Sequence, residues 1–166
     1  GIQGKLWVYK AFYIAGKRRK QELMSFIEEI KQKARNDRKT IILPESDDRR
    51  VIKAASQILE EKIADVIMIG EEEKIMDGAH WNDVSLDGIK IINPETCDKF
   101  DKYRDLLYEL RKEKGMTVEK ADSLLRTDYT MFGVVMLKAG DADGLVYGAN
   151  QPTADTLRPA LQVLKT

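Results

Sequence analysis

Asp143-Gly-Leu-Val-Tyr-Gly-Ala-Asn-Gln-Pro-Thr-Ala-Asp-Thr-Leu-Arg-Pro-Ala-Leu-Gln-Val-Leu-Lys-Thr166 is the stretch whose reading decides the fold. Its apolar run, Leu145 to Tyr147, reads as a buried strand. Gly148 and Ala149 follow with little or no side chain, and Asn150, Gln151, Pro152 and Thr153 form a turn-rich linker. Thr153 is placed to cap a helix whose first turn carries Asp155, with Leu157, Leu161 and Leu164 at helical spacing. A strand, a glycine turn and a helix start bring backbone N–H donors to one point, and such a point suits an anion. Gly148, Ala149, Asn150 and Thr153 are therefore a candidate phosphate or substrate loop. Arg158, about one turn into the helix, adds a cation with forked donors. The loop is neither a P-loop nor a GxGxxG fingerprint, and many strand–glycine–helix corners in α/β proteins bind nothing.

Outward from this stretch, short strands alternate with amphipathic helices. Ser25-Phe-Ile-Glu28 has the form of a capping box opening a helix, with Phe26, Ile27, Ile30 and Ala34 on its buried side. Thr40 to Leu43 is a β-branched run and a first strand. Pro44-Glu45-Ser46 turns the chain, and Ser46 is read as the cap of a helix through about Lys62, with Val51, Ile52, Ala55, Ile58 and Leu59 inside. Asp65 to Ile69 is a second strand closed by Gly70, Glu71 to Met76 a short helix, and Lys90 to Ile92 a third strand. Lys99 to Lys114 is a charged helix with Tyr103, Leu106, Leu107 and Leu110 inside, ended by Gly115. Thr117 caps a helix to about Leu125. Asp128 caps the next, which Gly140 stops. This alternation predicts an α/β fold, an open and mainly parallel sheet with helices on both faces.

Composition narrows the function classes. The chain has 166 residues, 43% hydrophobic and 34% charged, which fits a globular domain with a charged surface. No apolar run is long enough to span a bilayer, so a membrane role is not expected. The lone Cys97, read as a loop thiol after Pro94, allows no internal disulfide and fits a reducing cytoplasm. His80, read as lying in a polar loop beside Trp81, is the only histidine, and neither HExxH nor CxxC is present. No metal site is expected. Glu45, Asp47, Asp48, Arg49 and Arg50 crowd a strand-to-helix corner, the place where open α/β sheets bind ligands. Acids at a helix start also serve the macrodipole alone. Nothing forms a Ser/His/Asp triad.

The formal charge of zero is uneven. Residues 1–23 carry Lys5, Lys10, Lys17, Arg18, Arg19 and Lys20 against Glu22, so the remainder is acidic and no nucleic-acid partner is expected. Trp7, Tyr9, Phe12 and Tyr13 precede the basic cluster. Two readings stand: an anchor for an anionic surface, and a translated leader or cloning-derived segment ahead of a natural start at Met24. The second is preferred, which divides the chain into residues 1–23 and residues 24–166.

From Met24 to Thr166 the chain resembles the N-terminal part of phosphate acetyltransferase (phosphotransacetylase). The segments that carry the resemblance are Thr40-Ile-Ile-Leu-Pro-Glu-Ser46, Tyr108-Glu-Leu-Arg-Lys112, Gly115-Met-Thr117, Asp143-Gly144, Gly148-Ala149 and Asp155-Thr-Leu-Arg-Pro-Ala160. The resemblance implies interconversion of acetyl-CoA and phosphate with acetyl phosphate and CoA, by direct attack of the CoA thiolate. CoA and acetyl-CoA are then substrates, with no covalent cofactor and no metal. It implies an isocitrate dehydrogenase-like fold, two domains around a cleft, and a homodimer as the usual assembly. Arginines at the positions of Arg111 and Arg158 are implied to bind CoA.

The resemblance also sets limits. The family's catalytic serine, arginine and aspartate belong to a C-terminal domain that this chain lacks. No catalytic residue is therefore assigned here, and the chain is expected to be inactive alone. Tyr147, Gln151 and Pro152 stand where members often show Ser before the glycine, and His with Ser or Thr after it. Tyr147 is bulky enough to narrow a pocket. A stand-alone CoA- or nucleotide-binding module, a fragment pairing with a separate C-terminal chain, and a phosphate butyryltransferase-like acyltransferase are the alternatives.

Overall fold

A computed structural model describes the backbone of residues 2–150 and 153–164, and the side chains of residues 16–150 and 158–164. Residues 1–37 and 38–166 form separate compact units.

The first unit is a single helix, α1 (Ile2–Asn36). The expected start at Ser25 is overturned. Ser25 lies inside a continuous helix, because nothing in Gln21 to Met24 breaks one and Glu, Leu, Met and Gln are good helix formers. The expected buried stripe is also exposed: Phe26 is 58% and Ile30 50% accessible, with Ile27 partly open beside them. The expected boundary at residue 23 thus falls within α1.

The second unit is built on four strands. Thr40–Leu43 (β1), Asp65–Ile69 (β2) and Lys90–Ile92 (β3) stand where the β-branched runs placed them. Gly144–Leu145 (β4) is shorter and earlier than Leu145 to Tyr147 suggested. The sheet is parallel throughout, in the order β3-β2-β1-β4. Arg49–Glu60 (α2) connects β1 to β2, and Glu72–Trp81 (α3) connects β2 to β3. The return to the far edge runs through Phe100–Arg111 (α4), a 3-10 turn, Val118–Thr127 (α5) and Tyr129–Lys138 (α6). Thr153–Val163 (α7) follows β4.

Alternating side chains feed two cores. Ile42, Ile67 and Ile69 meet Tyr103, Leu107, Leu125, Phe132, Val135 and Val163, from α4 to α7. Leu43, Val66 and Met68 meet Ile52, Ala55, Ile75 and Ala79, from α2 and α3. Helices cover both faces, as the strand pattern required. α6 is buried from Thr130 to Met136, and an all-apolar circumference marks a central helix. It approaches the sheet at Gly133, where a Cβ would lie 2.7 Å from Leu145 Cδ1.

Several local expectations change. Asp48, not Ser46, caps α2, with its carboxylate accepting from the Arg50 N–H at 2.7 Å. The Ser46 hydroxyl instead donates to the Ile69 carbonyl at 2.7 Å, tying the end of β1 to the end of β2. His80 lies in α3, which runs one turn beyond the expected end. Leu110 and Leu161 face solvent because the buried stripes of α4 and α7 pass to one side of them. The expected Thr153 cap and the Leu157 and Asp155 side chains lie outside the described residues.

Candidate functional site

The strand order creates a switch point. From β1 the chain winds to β2 and β3 on one side, and later places β4 on the other. In open α/β sheets, ligands bind outside the carboxyl ends of strands at such a reversal. Here the carboxyl end of β1 leads into Pro44-Glu45-Ser46, and that of β4 into Val146 to Asn150.

Register brings these loops together. Asp143 accepts from the Thr40 N–H at 2.8 Å, and its own N–H donates to the Thr40 carbonyl at 2.9 Å. Ile41 then pairs with Gly144 and Ile42 with Leu145. The constant offset of 103 residues carries Glu45 to Gly148. The Glu45 carboxylate accepts N–H donors from Gly148 at 2.8 Å, Ala149 at 2.8 Å and Asn150 at 3.0 Å. Gly148 has φ +108°, a conformation that glycine adopts without strain. The donors expected to converge on an anion do converge, and the anion on them is a side chain of the same protein. Glu45 is buried, and three charge-assisted bonds offset the cost of its desolvation.

A second strap lies beside the first. Arg50 donates to the Ala149 carbonyl at 2.6 Å and to Asn150 Oδ1 at 3.2 Å. The same guanidinium holds Asp48 at 2.6 Å. Its hydrogen bond keeps the Asp48 carboxyl well below the ordinary range, at about 2. Asp48 in turn raises the Arg50 guanidinium above its usual value. Of the charged group at the end of β1, Glu45, Asp48 and Arg50 thus serve the corner, while Asp47 and Arg49 are exposed. Spacing alone did not assign these roles to Glu45 and Arg50. The only available signal was that five charged residues follow a strand of four.

Glu45 also lines a cleft of about 670 Å³, with Ser46, Lys74, Asp128, Tyr129 and Thr130 on its walls. Tyr147 turns towards α7, where its phenol meets the Ala160 backbone and burial raises its pKa.

Arg111 ends α4 and lies elsewhere, in a cleft of about 410 Å³ with Lys114, Gly115, Lys120 and Thr127. Its Nε is buried with no hydrogen-bond partner. Thr127 lines both clefts, so the two adjoin. Arg158 is exposed on α7. Cys97 borders a third cavity of about 320 Å³ with Tyr103 and Asp141. There Lys99, Tyr103 and Lys102 hold the Asp141 carboxyl at about 2, and burial pushes the Tyr103 phenol up. No cluster of His, Cys, Asp and Glu suited to a metal occurs among the described residues.

A parallel sheet covered by helices on both faces, with a polar corner at its switch point, defines an open α/β fold. Residues 25–166 match the family model described as phosphate acetyl/butaryl transferase, and the chain belongs to that family. It is 51% identical over 143 residues to the phosphate acetyltransferase of Acetivibrio thermocellus, covering 86% of this chain and 42% of that one. The corresponding protein of Thermoanaerobacterium thermosaccharolyticum is 47% identical, with 86% and 43% covered. Among solved structures, the EutD phosphotransacetylase from Staphylococcus aureus superposes with a TM-score of 0.77 at 36% identity, over 86% of this chain and 43% of that one. The chain therefore spans about two fifths of the length of these relatives.

Proposed function

We propose that this chain is the N-terminal part of a phosphate acetyltransferase, interconverting acetyl-CoA and phosphate with acetyl phosphate and CoA. The family match over residues 25–166 carries the reading. The geometry supports it in two places. The buried, unpaired Arg111 Nε sits among Lys114 and Lys120, a setting suited to a phosphate of CoA. The adjoining cleft is bordered by Glu45, whose carboxylate sits on the Gly148–Asn150 donors, a set that suits an oxyanion. Arg158 is proposed as a second CoA contact. The thiol is activated, and the leaving phosphate stabilised, by groups in the part of the relatives that this chain does not span. A homodimer and a cytoplasmic location belong to the same proposal. No helix among the described residues is long and apolar enough to cross a membrane.

Two measurements test the reading. Titration calorimetry should show CoA binding in the millimolar range, about −4 kcal/mol, because a half-open cleft encloses only part of the ligand. Dephospho-CoA should bind less well. The 166-residue chain should give no enzyme-like turnover of acetyl phosphate with CoA, since general-base and oxyanion contributions are missing. Absence of CoA binding would remove the binding assignment, and rapid turnover would place the reaction centre within residues 1–166.

A further inference from the structure

The donors of the corner are already spent. The N–H groups of Gly148, Ala149 and Asn150 all point at one carboxylate, that of Glu45. Two anions cannot share three donors at this spacing, because their repulsion adds to the loss of hydrogen bonds. An oxyanion that uses the corner must therefore displace Glu45. The side chain has somewhere to go: Glu45 borders the 670 Å³ cleft, whose wall also carries Lys74, paired with Glu71 at 2.6 Å. The backbone need not move with it. Arg50 grips the Ala149 carbonyl and the Asn150 side chain independently, so the corner keeps a second tie when Glu45 leaves.

The geometry points to Glu45 as an internal competing anion, an autoinhibitory contact that closes the Gly148–Asn150 corner until a phosphate-type oxyanion replaces it. This rests on the proposed reading of the corner as a phosphate site and adds its regulation. The contact keeps three backbone donors satisfied while the site is empty, and it sets a threshold that favours a doubly charged oxyanion over singly charged ones. A phosphate dianion offers more charge and more acceptor oxygens than a carboxylate, whereas chloride or acetate offers no gain.

Amide NMR with inorganic phosphate tests it, at fixed ionic strength held with chloride. The resonances of Gly148, Ala149 and Asn150 are followed in the wild-type chain, in Glu45→Gln and in Glu45→Ala. Glu45→Gln keeps the shape and removes the charge, so it serves where the alanine variant folds poorly. The expected result is phosphate binding at these amides at least tenfold tighter in the variants than in the wild type. Equal affinity in all three proteins would overturn the competition while leaving a phosphate site at the corner. No phosphate-dependent shift in any of them would overturn both the competition and the corner's role. CoA binding through Arg111, measured separately, would be untouched by either failure.

Discussion

The Gly148–Asn150 corner and the Arg111 cleft treat their polar groups in opposite ways. At the Gly148–Asn150 corner every converging donor has an internal partner, and Glu45 supplies it. At the end of α4 the Arg111 Nε is buried and has none. The first arrangement is satisfied from within the chain. The second carries an unmet donor, the feature on which the proposed CoA contact rests. A buried unsatisfied donor costs about 1–3 kcal/mol, so under the proposed function a CoA phosphate at Arg111 would restore stability that the fold gives up there.

Glu45→Ala should break this contrast most strongly. It strands three donors at once, and stability should fall by about 3 kcal/mol, reduced to the extent that water reaches the corner. Urea unfolding measures the loss, and added phosphate should recover part of it. A loss below about 0.5 kcal/mol would mean that the corner does not depend on Glu45.

The same operation at the other cleft should have the opposite sign. Arg111→Met keeps the aliphatic volume and removes the unmet donor, so stability should hold or rise by about 0.5–1 kcal/mol. CoA affinity should fall at least tenfold in the same variant. Destabilisation beyond about 1 kcal/mol would show that Arg111 is a structural partner and not a poised one.

Acid sharpens the comparison through Asp48, which anchors Arg50 to the corner. Its folded pKa, about 2, lies below the ordinary value near 4. The unfolded chain therefore binds this proton first as pH falls. The stabilisation is fully present above about pH 4 and is lost between about 4 and 2. Asp141, also held at about 2, adds to the same window. Urea midpoints between pH 5 and pH 2 should fall for the wild type and fall less steeply for Asp48→Asn. Identical slopes would remove Asp48 from the acid limb.

The smallest effect is expected from deleting residues 1–23. The two cores and both clefts belong to residues 38–166, so unfolding stability in urea should change by no more than about 0.5 kcal/mol and CoA affinity should be unchanged. A larger shift would give α1 a role in holding the clefts.

Much of this was legible in the sequence by itself. Thr40-Ile-Ile-Leu43, Asp65 to Ile69 and Lys90 to Ile92 are apolar runs bounded by turn residues, and their shortness and β-branched content favour buried strands over helix. Thr117 and Asp128 cap the helices assigned to them, because capping is a contact between residues two or three apart. Local rules failed where a competing partner came from elsewhere. Ser25 had the pattern of a cap, but upstream residues continue the helix through it. Ser46 had the same pattern, but the Ile69 carbonyl takes its hydroxyl and leaves Asp48 to cap α2.

The corner divides in the same way. That Gly148 to Asn150 would present converging donors followed from strand, glycine and turn in sequence order. Which anion they meet did not, because Glu45 lies 103 residues away. The Thr40–Asp143 bonds set the β1–β4 register, and the parallel pairing carries that offset to Glu45 and Gly148. A shift of one residue in this register would set Pro44 or Ser46, and not Glu45, opposite Gly148, and neither brings a carboxylate to the donors. Residue chemistry alone marked this corner as a candidate for an anion, and the pairing of two strands distant in sequence decided that the carboxylate on its donors is the protein's own Glu45.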